Sequence, residues 1–286
     1  MDFSVQKKLA DQFLRLHRGP NVVVLANVWD VAGACIVEAA GAKALATSSA
    51  AVAFALGYPD GQRISAPEML DVVSLIAHAV KIPVSADLEA GYSESPKEIE
   101  QLTQELLAAG AVGLNLEDGI GNGKLYPLEQ QLRKIEAVRS TAERAGIHVV
   151  LNARTDVYLD EVGEPAGRFD EVVRRGRAFM KAGADCVFIP GLYEAATIGR
   201  AVKEIGAPIN ILAHIKAPTV KELKKLGVAR LSIGSGAGRA AWGLLREISR
   251  ELLERGTYSF LLDAPSHGEM NKLLSGRRKS AKASRA

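Results

Sequence analysis

Ala108-Ala109-Gly110-Ala111-Val112-Gly113-Leu114-Asn115-Leu116-Glu117 decides how this chain is read. A helical pattern ends on a glycine, and a short apolar strand follows at once. Glycine tolerates the left-handed conformation that closes a helix, so the pattern marks a helix C-terminus feeding a strand. The device recurs as AAGAKALATS, RAGIHVVLNA, KAGADCVFIP, EIGAPINILA and KLGVARLSIG, with closing glycines Gly41, Gly146, Gly183, Gly206 and Gly227. Helix starts are marked as well, by capping boxes at Ser65-x-x-Glu68 and Ser95-Pro96-Lys97-Glu98. Eight strands are expected, near 22–26, 44–48, 82–87, 112–117, 148–154, 185–189, 209–213 and 229–233. Helices follow each strand, and one more precedes the first.

Strict β–α alternation argues a parallel sheet, and eight repeats in this length argue closure into a (β/α)8 TIM barrel with an extra N-terminal helix. A doubly wound open sheet is the alternative. No Pro/Ser-rich linker divides the chain, so residues 1–262 are read as a single catalytic barrel and 263–286 as a C-terminal extension.

Composition narrows the class. With 48% hydrophobic and 24% charged residues the balance is that of a globular protein. The net charge of +3 comes from the tail: the last ten residues carry five basic and no acidic side chains, leaving the other 276 at −2. No nucleic-acid footprint follows for the body, and the tail GRRKSAKASRA reads as solvated and disordered. No apolar run approaches the roughly 18 residues a membrane span needs. Cys35 and Cys186 sit in apolar surroundings without metal or redox spacing, as expected of reduced thiols in a cytoplasmic protein.

Alternation along the strands sorts the polar residues, because residues two apart share a face. In strand 4, Val112, Leu114 and Leu116 face the helices, leaving Gly113, Asn115 and Glu117 inside. In strand 3 the inward set is Ser85, Asp87 and Glu89, and in strand 5 it is Asn152, Arg154 and Asp156. Asp87, Glu89, Glu117 and Arg154 thus collect at the C-terminal strand ends, where barrel enzymes build active sites. Carboxylates this close repel one another in a low-dielectric mouth. A hard divalent cation resolves the conflict, and an all-oxygen set suits Mg²⁺ or Mn²⁺ over Zn²⁺. The blander alternative pairs the acids with Arg154 and Lys124, without metal.

Four segments, ALATSSAAVAFALGYPDG, PVSADLEAGY, GLNLEDG and NARTD, resemble the isocitrate lyase/phosphoenolpyruvate mutase superfamily in order and spacing, over roughly residues 15 to 260. The resemblance implies a (β/α)8 barrel, often with its last helix exchanged between subunits, assembled as a homo-oligomer, dimer or tetramer. It also implies Mg²⁺ and a small 2-oxo- or 2-hydroxy-carboxylate substrate. On that footing Asp87 matches the metal's closest ligand. Glu89 and Glu117 match residues supporting the metal through water, Glu89 standing where the family has a second Asp. Arg154 matches the arginine that binds substrate carboxylate, and Asp60 an active-site acid beside the reacting centre. Thr47, Ser48 and Ser49 take the place of the turn that holds the oxo-acid.

Departures bear on the reaction. The lyases' K-[KR]-C-G-H loop, whose Cys is the general acid, is replaced by Gly119-Ile120-Gly121-Asn122-Gly123-Lys124-Leu125-Tyr126, with no Cys or His. The acid of the family's F-P-E is also missing from Phe188-Ile189-Pro190-Gly191. Asn122 and Lys124 are the candidates for direct roles in that loop. The expected chemistry is C–C cleavage or decarboxylation through a metal-stabilised enolate, since charge stabilisation by metal and Arg154 needs no dedicated Cys. The alternatives are P–C chemistry, as in phosphoenolpyruvate or carboxyphosphonoenolpyruvate mutase and phosphonopyruvate hydrolase, and a phosphate-binding barrel using the Gly234-Ser235-Gly236 turn after strand 8. Trp242, Leu244, Leu245, Ile248, Leu252 and Leu253 give the last helix a broad apolar face that demands a partner.

Overall fold

The computed structural model describes residues 1–275; the basic segment 276–286 lies outside them. The chain opens with α1 (Phe3–Arg18), β1 (Val23–Leu25), β2 (Asn27–Val28) and α2 (Val31–Ala39). Next come β3 (Leu45–Thr47), α3 (Ser49–Ala55), α4 (Ala66–Ala79), β4 (Val84–Asp87), α5 (Pro96–Ala108) and β5 (Gly113–Glu117). A small hairpin, β6 (Gly119–Gly121) and β7 (Lys124–Leu125), precedes α6 (Leu128–Ala145) and β8 (Val150–Arg154). The remainder runs α7 (Arg168–Lys181), β9 (Cys186–Ile189), α8 (Ala195–Ile205), β10 (Ile209–Leu212), α9 (Val220–Lys225), β11 (Arg230–Ser232), α10 (Gly236–Arg250) and α11 (His267–Leu274).

All eight expected strands form. They lie in the order β1-β11-β10-β9-β8-β5-β4-β3-β2, every pairing parallel. β1 and β2 are successive parts of one strand broken at Ala26, the first paired with β11 and the second with β3. The ring of strands therefore closes, which rules out the open doubly wound sheet. All six helix-closing glycines adopt positive φ, and Gly146 and Gly206 are left-handed C-caps.

Asn27 secures the seam. Its amide donates to the Thr47 carbonyl (2.8 Å), and its Oδ1 accepts from the Ile233 and Gly234 N–H groups (2.8 and 3.0 Å). One buried side chain thus joins the first strand, β3 and the end of β11.

The N-terminal end of the barrel is plugged by α1. Phe13 is fully buried, and a side chain at Gly113 would collide with its ring (2.6 Å to Cε1). Gln6 holds the helix by donating to the Leu107 and Ala111 carbonyls. Outward strand residues such as Ala86, Leu114, Leu116, Leu151 and Ala153 pack beneath the helices in a continuous core.

Two local expectations need correction. Ser65 and Glu68 form their capping box, but Ser95 makes no side-chain cap. Glu98 instead accepts from the Ser93 hydroxyl, whose oxygen in turn receives the Ser95 N–H (2.9 Å), because Pro96 sets a turn that Ser93 spans. The segment after β5, read from sequence as a loop, forms a short antiparallel hairpin.

Beyond the barrel, α11 starts with its own capping box, Ser266 with Glu269, and packs against α2. Among the described residues no helix is long and apolar enough to cross a membrane.

Removing the Asn27 side chain strands two backbone donors and breaks the seam. Asn27→Ala is expected to lower unfolding free energy by about 2–3 kcal/mol, read as a shifted urea midpoint at unchanged m-value.

Candidate active site

The β ladder fixes which side chains meet at the C-terminal mouth. Asp87 pairs in register with Asn115, Asn115 with Asn152, and Glu117 with Arg154. Since registered residues share a face, the inward set Ser85, Asp87, Asn115, Glu117, Asn152 and Arg154 is the one expected from alternation.

Asp87 is buried and held from two sides. Its Oδ2 accepts the Ser49 N–H (3.0 Å) and hydroxyl (2.8 Å), and its Oδ1 accepts from Asn115 Nδ2 (3.1 Å). Its own N–H donates to Thr47 Oγ1 (2.9 Å). Each carboxylate oxygen takes two donors, so Oδ2 is filled and Oδ1 keeps one open acceptor direction.

Thr47, Ser48 and Ser49 lie beside Asp87, but they are occupied in building it. The Ser48 N–H donates to the Val28 carbonyl, and the Ser48 hydroxyl caps α3. The backbone N–H groups of Ser48 and Ser49 are thus already committed within the protein.

Glu89 sits past the end of β4 with φ +50°, in the left-handed region. Its Oε2 accepts the Gln62 N–H (2.5 Å), whereas Oε1 is buried without a hydrogen-bond partner. Gln62 (φ +56°) also accepts the Tyr92 N–H (2.7 Å) on its side-chain oxygen, and Tyr92 has φ +57°. Three non-glycine residues in strained conformations therefore form one hydrogen-bonded unit, clamping the loop that carries Asp60 onto the end of β4. Strain of this kind costs about 1–3 kcal/mol per residue and persists only when the surroundings over-determine it. Lys134, fully buried on α6, braces the same turn by donating to the Ala90 carbonyl.

Arg154 is the cation of the cluster. Its Nη1 contacts Glu117 Oε2 (2.6 Å), and its Nε contacts Asp156 Oδ1 (2.6 Å). Burial works against its charge, yet Glu117, Asp156 and Asp87 overcome this and raise its pKa. Asp156 fills the space above Gly119, where any side chain would collide with its carboxylate. Asp118, buried between the Asp156 N–H and Arg175 Nη1 (3.0 and 3.1 Å), ties the ends of β5, β8 and α7 together.

The remaining acids show the crowding. Burial, then Asp87 and Asp60, push Glu89 up to about 7. Asp60, at the exposed rim, is raised by partial desolvation and next by Asp87 and Asp156. Burial raises Glu117 too, with Arg154 opposing. Asp60, Asp87, Glu89, Glu117 and Asp156 are five carboxylates sharing one contacting guanidinium.

Among the described residues, no three Asp, Glu, His or Cys side chains group to hold a metal by themselves. Mg²⁺ commonly takes only one or two carboxylates and completes its shell with water and substrate oxygens. The open acceptor direction on Asp87, the orphaned Glu89 Oε1 and the charge excess fit such a cation. Glu117, expected beside it, is engaged by Arg154.

Asn122 and Lys124 are not brought into the cluster. Both are exposed on the β6–β7 hairpin, Asn122 with φ +54°. In the Gly234-Ser235-Gly236 turn, read as a possible phosphate cradle, the two glycine N–H groups are already committed within the protein. The Ile233 and Gly234 N–H groups donate to Asn27 and that of Gly236 to the Ile233 carbonyl, while Gly238 packs closely on Trp242 and Ala51. Trp29 and Asp30 have structural roles, Trp29 packing at a tilt against Trp242 (centroids 5.7 Å apart) and Asp30 capping α2. Sequence reasoning missed Asn27, Gln62 and Arg230. Arg230 left one signal, a charged residue inside a short buried parallel strand.

A closed (β/α)8 barrel with carboxylates and one arginine gathered at its C-terminal rim defines a class of barrel enzyme. The chain belongs to the family described as phosphoenolpyruvate phosphomutase, whose model matches residues 13–253, within the isocitrate lyase/phosphoenolpyruvate mutase superfamily. It is 32% identical over 224 residues to an uncharacterized protein of Mycobacterium tuberculosis (78% of this chain, 81% of that one). It is 28% identical over 256 residues to a 2-methylisocitrate lyase of Aeropyrum pernix (85% and 79%). A solved Burkholderia cenocepacia structure, provisionally described as a lyase/mutase, superposes with a TM-score of 0.88 at 32% identity, covering 95% of this chain and 97% of that one. The chain's named relatives include lyases and mutases.

The raised pKa of Glu89 carries a stability signature. A carboxyl raised in the folded state binds its proton more tightly there, so the folded state loses stability as pH rises from about 4.5 to about 7. Metal-free protein is expected to lose on the order of 3 kcal/mol over that window. Glu89→Gln should flatten this part of the profile in denaturation at stepped pH; an unchanged profile would remove Glu89 as its source.

Proposed function

We propose that the protein is a Mg²⁺-dependent lyase-type enzyme, Mn²⁺ serving in its place, that cleaves or decarboxylates a small 2-oxo or 2-hydroxy carboxylate. The observation that carries this reading is the excess of carboxylates over cations at the mouth, centred on Asp87. Asp87, through Oδ1, and Glu89, directly or through water, would hold the cation, with Glu117 and Asp60 at its margin. A bound cation would supply charge neutralisation where negative charge develops on the substrate's 2-oxygen.

The chain's own groups do the rest. Arg154 would offer Nη2, which makes neither the Glu117 nor the Asp156 contact, to a substrate carboxylate, and its planar donors suit that shape. Glu117 and Asp156 fix its plane, so little reorganisation accompanies binding. The Thr47–Ser49 turn acts mainly by orienting Asp87. Asp60, with its raised pKa at the rim, is placed to hold a proton near the reacting centre. Asn122 and Lys124 stand on a hairpin above and would contribute only by leaning over bound substrate.

P–C chemistry is the second reading, favoured by the family's description. The hairpin supplies only Lys124 as a further cation for a migrating phosphoryl group, which supports C–C chemistry instead.

For assembly we propose a homo-oligomer, dimer or tetramer. Leu244, Leu245 and Leu253 on and beyond α10 are 60%, 57% and 87% exposed, apolar surface that a second copy would cover. Sedimentation at micromolar concentration is expected to show a dimer or larger; a monomer alone would refute it. A cytoplasmic location is proposed with it, Cys35 and Cys186 being buried outside any disulfide.

The direct test is a turnover screen with oxaloacetate, alkylmalates, methylisocitrate and phosphonopyruvate. Mg²⁺-dependent activity is expected on a carboxylate substrate, abolished by chelator. Asp87→Ala should lower kcat/KM by about a thousandfold, roughly 4 kcal/mol of lost transition-state stabilisation. Activity that survives both would overturn the reading.

A further inference from the structure

Arg230 lies inside the barrel, one of the largest fully buried side chains. Nothing in the mouth's chemistry as described so far uses it. Among the described residues it makes no ion pair. Its Nε donates to Ser232 Oγ (3.3 Å) and its Nη2 to Asn115 Oδ1 (3.2 Å), while Nη1 is buried without a partner. Its guanidinium carbon stands 6.0 Å from the Phe13 ring centroid, over the plug of the barrel floor. Burial pulls its pKa down to about 10, with Cys186 and Asp87 pulling the other way, so it is a cation at neutral pH. Burial pushes the Cys186 thiol up to about 12, which leaves it neutral and no counter-ion.

A sealed, unpaired guanidinium is costly. The packing role of Arg230 could be filled by an apolar chain of similar length, so its retained charge and donors call for a different account. Asn115 provides one. Its Oδ1 accepts two N–H donors, from Asn152 Nδ2 (2.7 Å) and from Arg230 Nη2, and its Nδ2 donates to Asp87 Oδ1. Turning the amide over would set its NH₂ against those two donors and its oxygen against a carboxylate. Arg230 and Asn152 thus lock the amide in the single orientation that offers Asp87 a donor. That donor, with Ser49 on the other oxygen, determines which direction of Asp87 stays open.

We propose that Arg230 is a positioning residue for the cation site, acting through Asn115 to orient the Asp87 carboxylate from inside the barrel. This rests on the metal reading above. It extends that site inward by two residues, from the C-terminal rim to the packed interior next to the floor. Ser232, itself bonded to Asn210 (3.0 Å), steadies the guanidinium from the far side.

The experiment measures Mn²⁺ affinity, by the electron paramagnetic resonance signal of free Mn²⁺, for wild type, Arg230→Met, Asn115→Leu and the double variant, with thermal melts alongside. Removing a nearby positive charge by itself tightens cation binding, whereas losing an orienting partner weakens it, typically by 10–100-fold. Arg230→Met is therefore expected to weaken Mn²⁺ about tenfold or more. Asn115→Leu should do the same, and the double variant no worse than the weaker single, because the two act in series. Arg230→Lys keeps the charge but not the planar fork. It serves where the Met variant does not fold, and it should bind Mn²⁺ several-fold more weakly than wild type. Unchanged or tighter binding by Arg230→Met, wild-type affinity in Arg230→Lys, or additive losses in the double variant would each overturn the relay while leaving the metal reading intact. A wild-type protein that takes up no Mn²⁺ would overturn both.

Discussion

Carboxylates on neighbouring parallel strands cannot move apart. The ladder that pairs Asp87 with Asn115 and Glu117 with Arg154 fixes their backbones within one register, and closure of the barrel removes the free edge along which a sheet could splay. Charge crowding at the mouth is consequently built into the fold, and the surrounding residues have to contain it. Arg154 takes up two of the acids, Asn115 and Ser49 solvate a third, and Glu89 responds with a raised pKa. What is left uncompensated is what makes the site a candidate for a divalent cation.

The same crowding accounts for where strain is stored. Glu89 reaches the mouth only because the chain turns sharply after Asp87, in a conformation that non-glycine residues rarely adopt. Gln62 and Tyr92 share that strain and bond to one another, and Lys134 braces the turn from beneath. The loop with Asp60 is held by this unit rather than by apolar burial, since residues 54–63 are exposed. Positioning by a few polar contacts keeps the loop separable from the core, as a rim that admits substrate requires.

The architecture was legible because it repeats. Six helix-closing glycines and the two-residue alternation are local signals, and local signals survive in one dimension. The inward placement of Asp87, Glu117 and Arg154 followed from alternation alone. Roles within the site were less legible where they depend on partners distant in sequence. Nothing about Gln62 announces a positive φ, and nothing about Asn27 announces that it meets Ile233 and Gly234, more than 200 residues on. The Ser48 and Ser49 N–H groups were expected to face substrate, but the structure spends them on Val28 and Asp87, partners that only closure brings near. The Gly234–Gly236 turn was ambiguous for the same reason, since only closure brings Asn27 to the Gly234 N–H.

The chemistry proposed is bounded by what the mouth lacks as much as by what it holds. An enzyme that expels a basic carbanion needs an acid poised at the departing carbon, and the β6–β7 hairpin offers neither thiol nor imidazole there. Lys124, the hairpin's one ammonium, is exposed. Departing groups that need no proton, such as carbon dioxide, or that water can protonate, suit this constellation better than a large tricarboxylate cleaved by acid catalysis. The missing acid after β9 points the same way: Gly191 packs against the backbone at Tyr158 and Leu159, leaving no room for a longer side chain to grip a distal carboxylate. Under the proposed chemistry, the hairpin after β5 restricts the leaving group and the Gly191 turn after β9 restricts the size of the substrate.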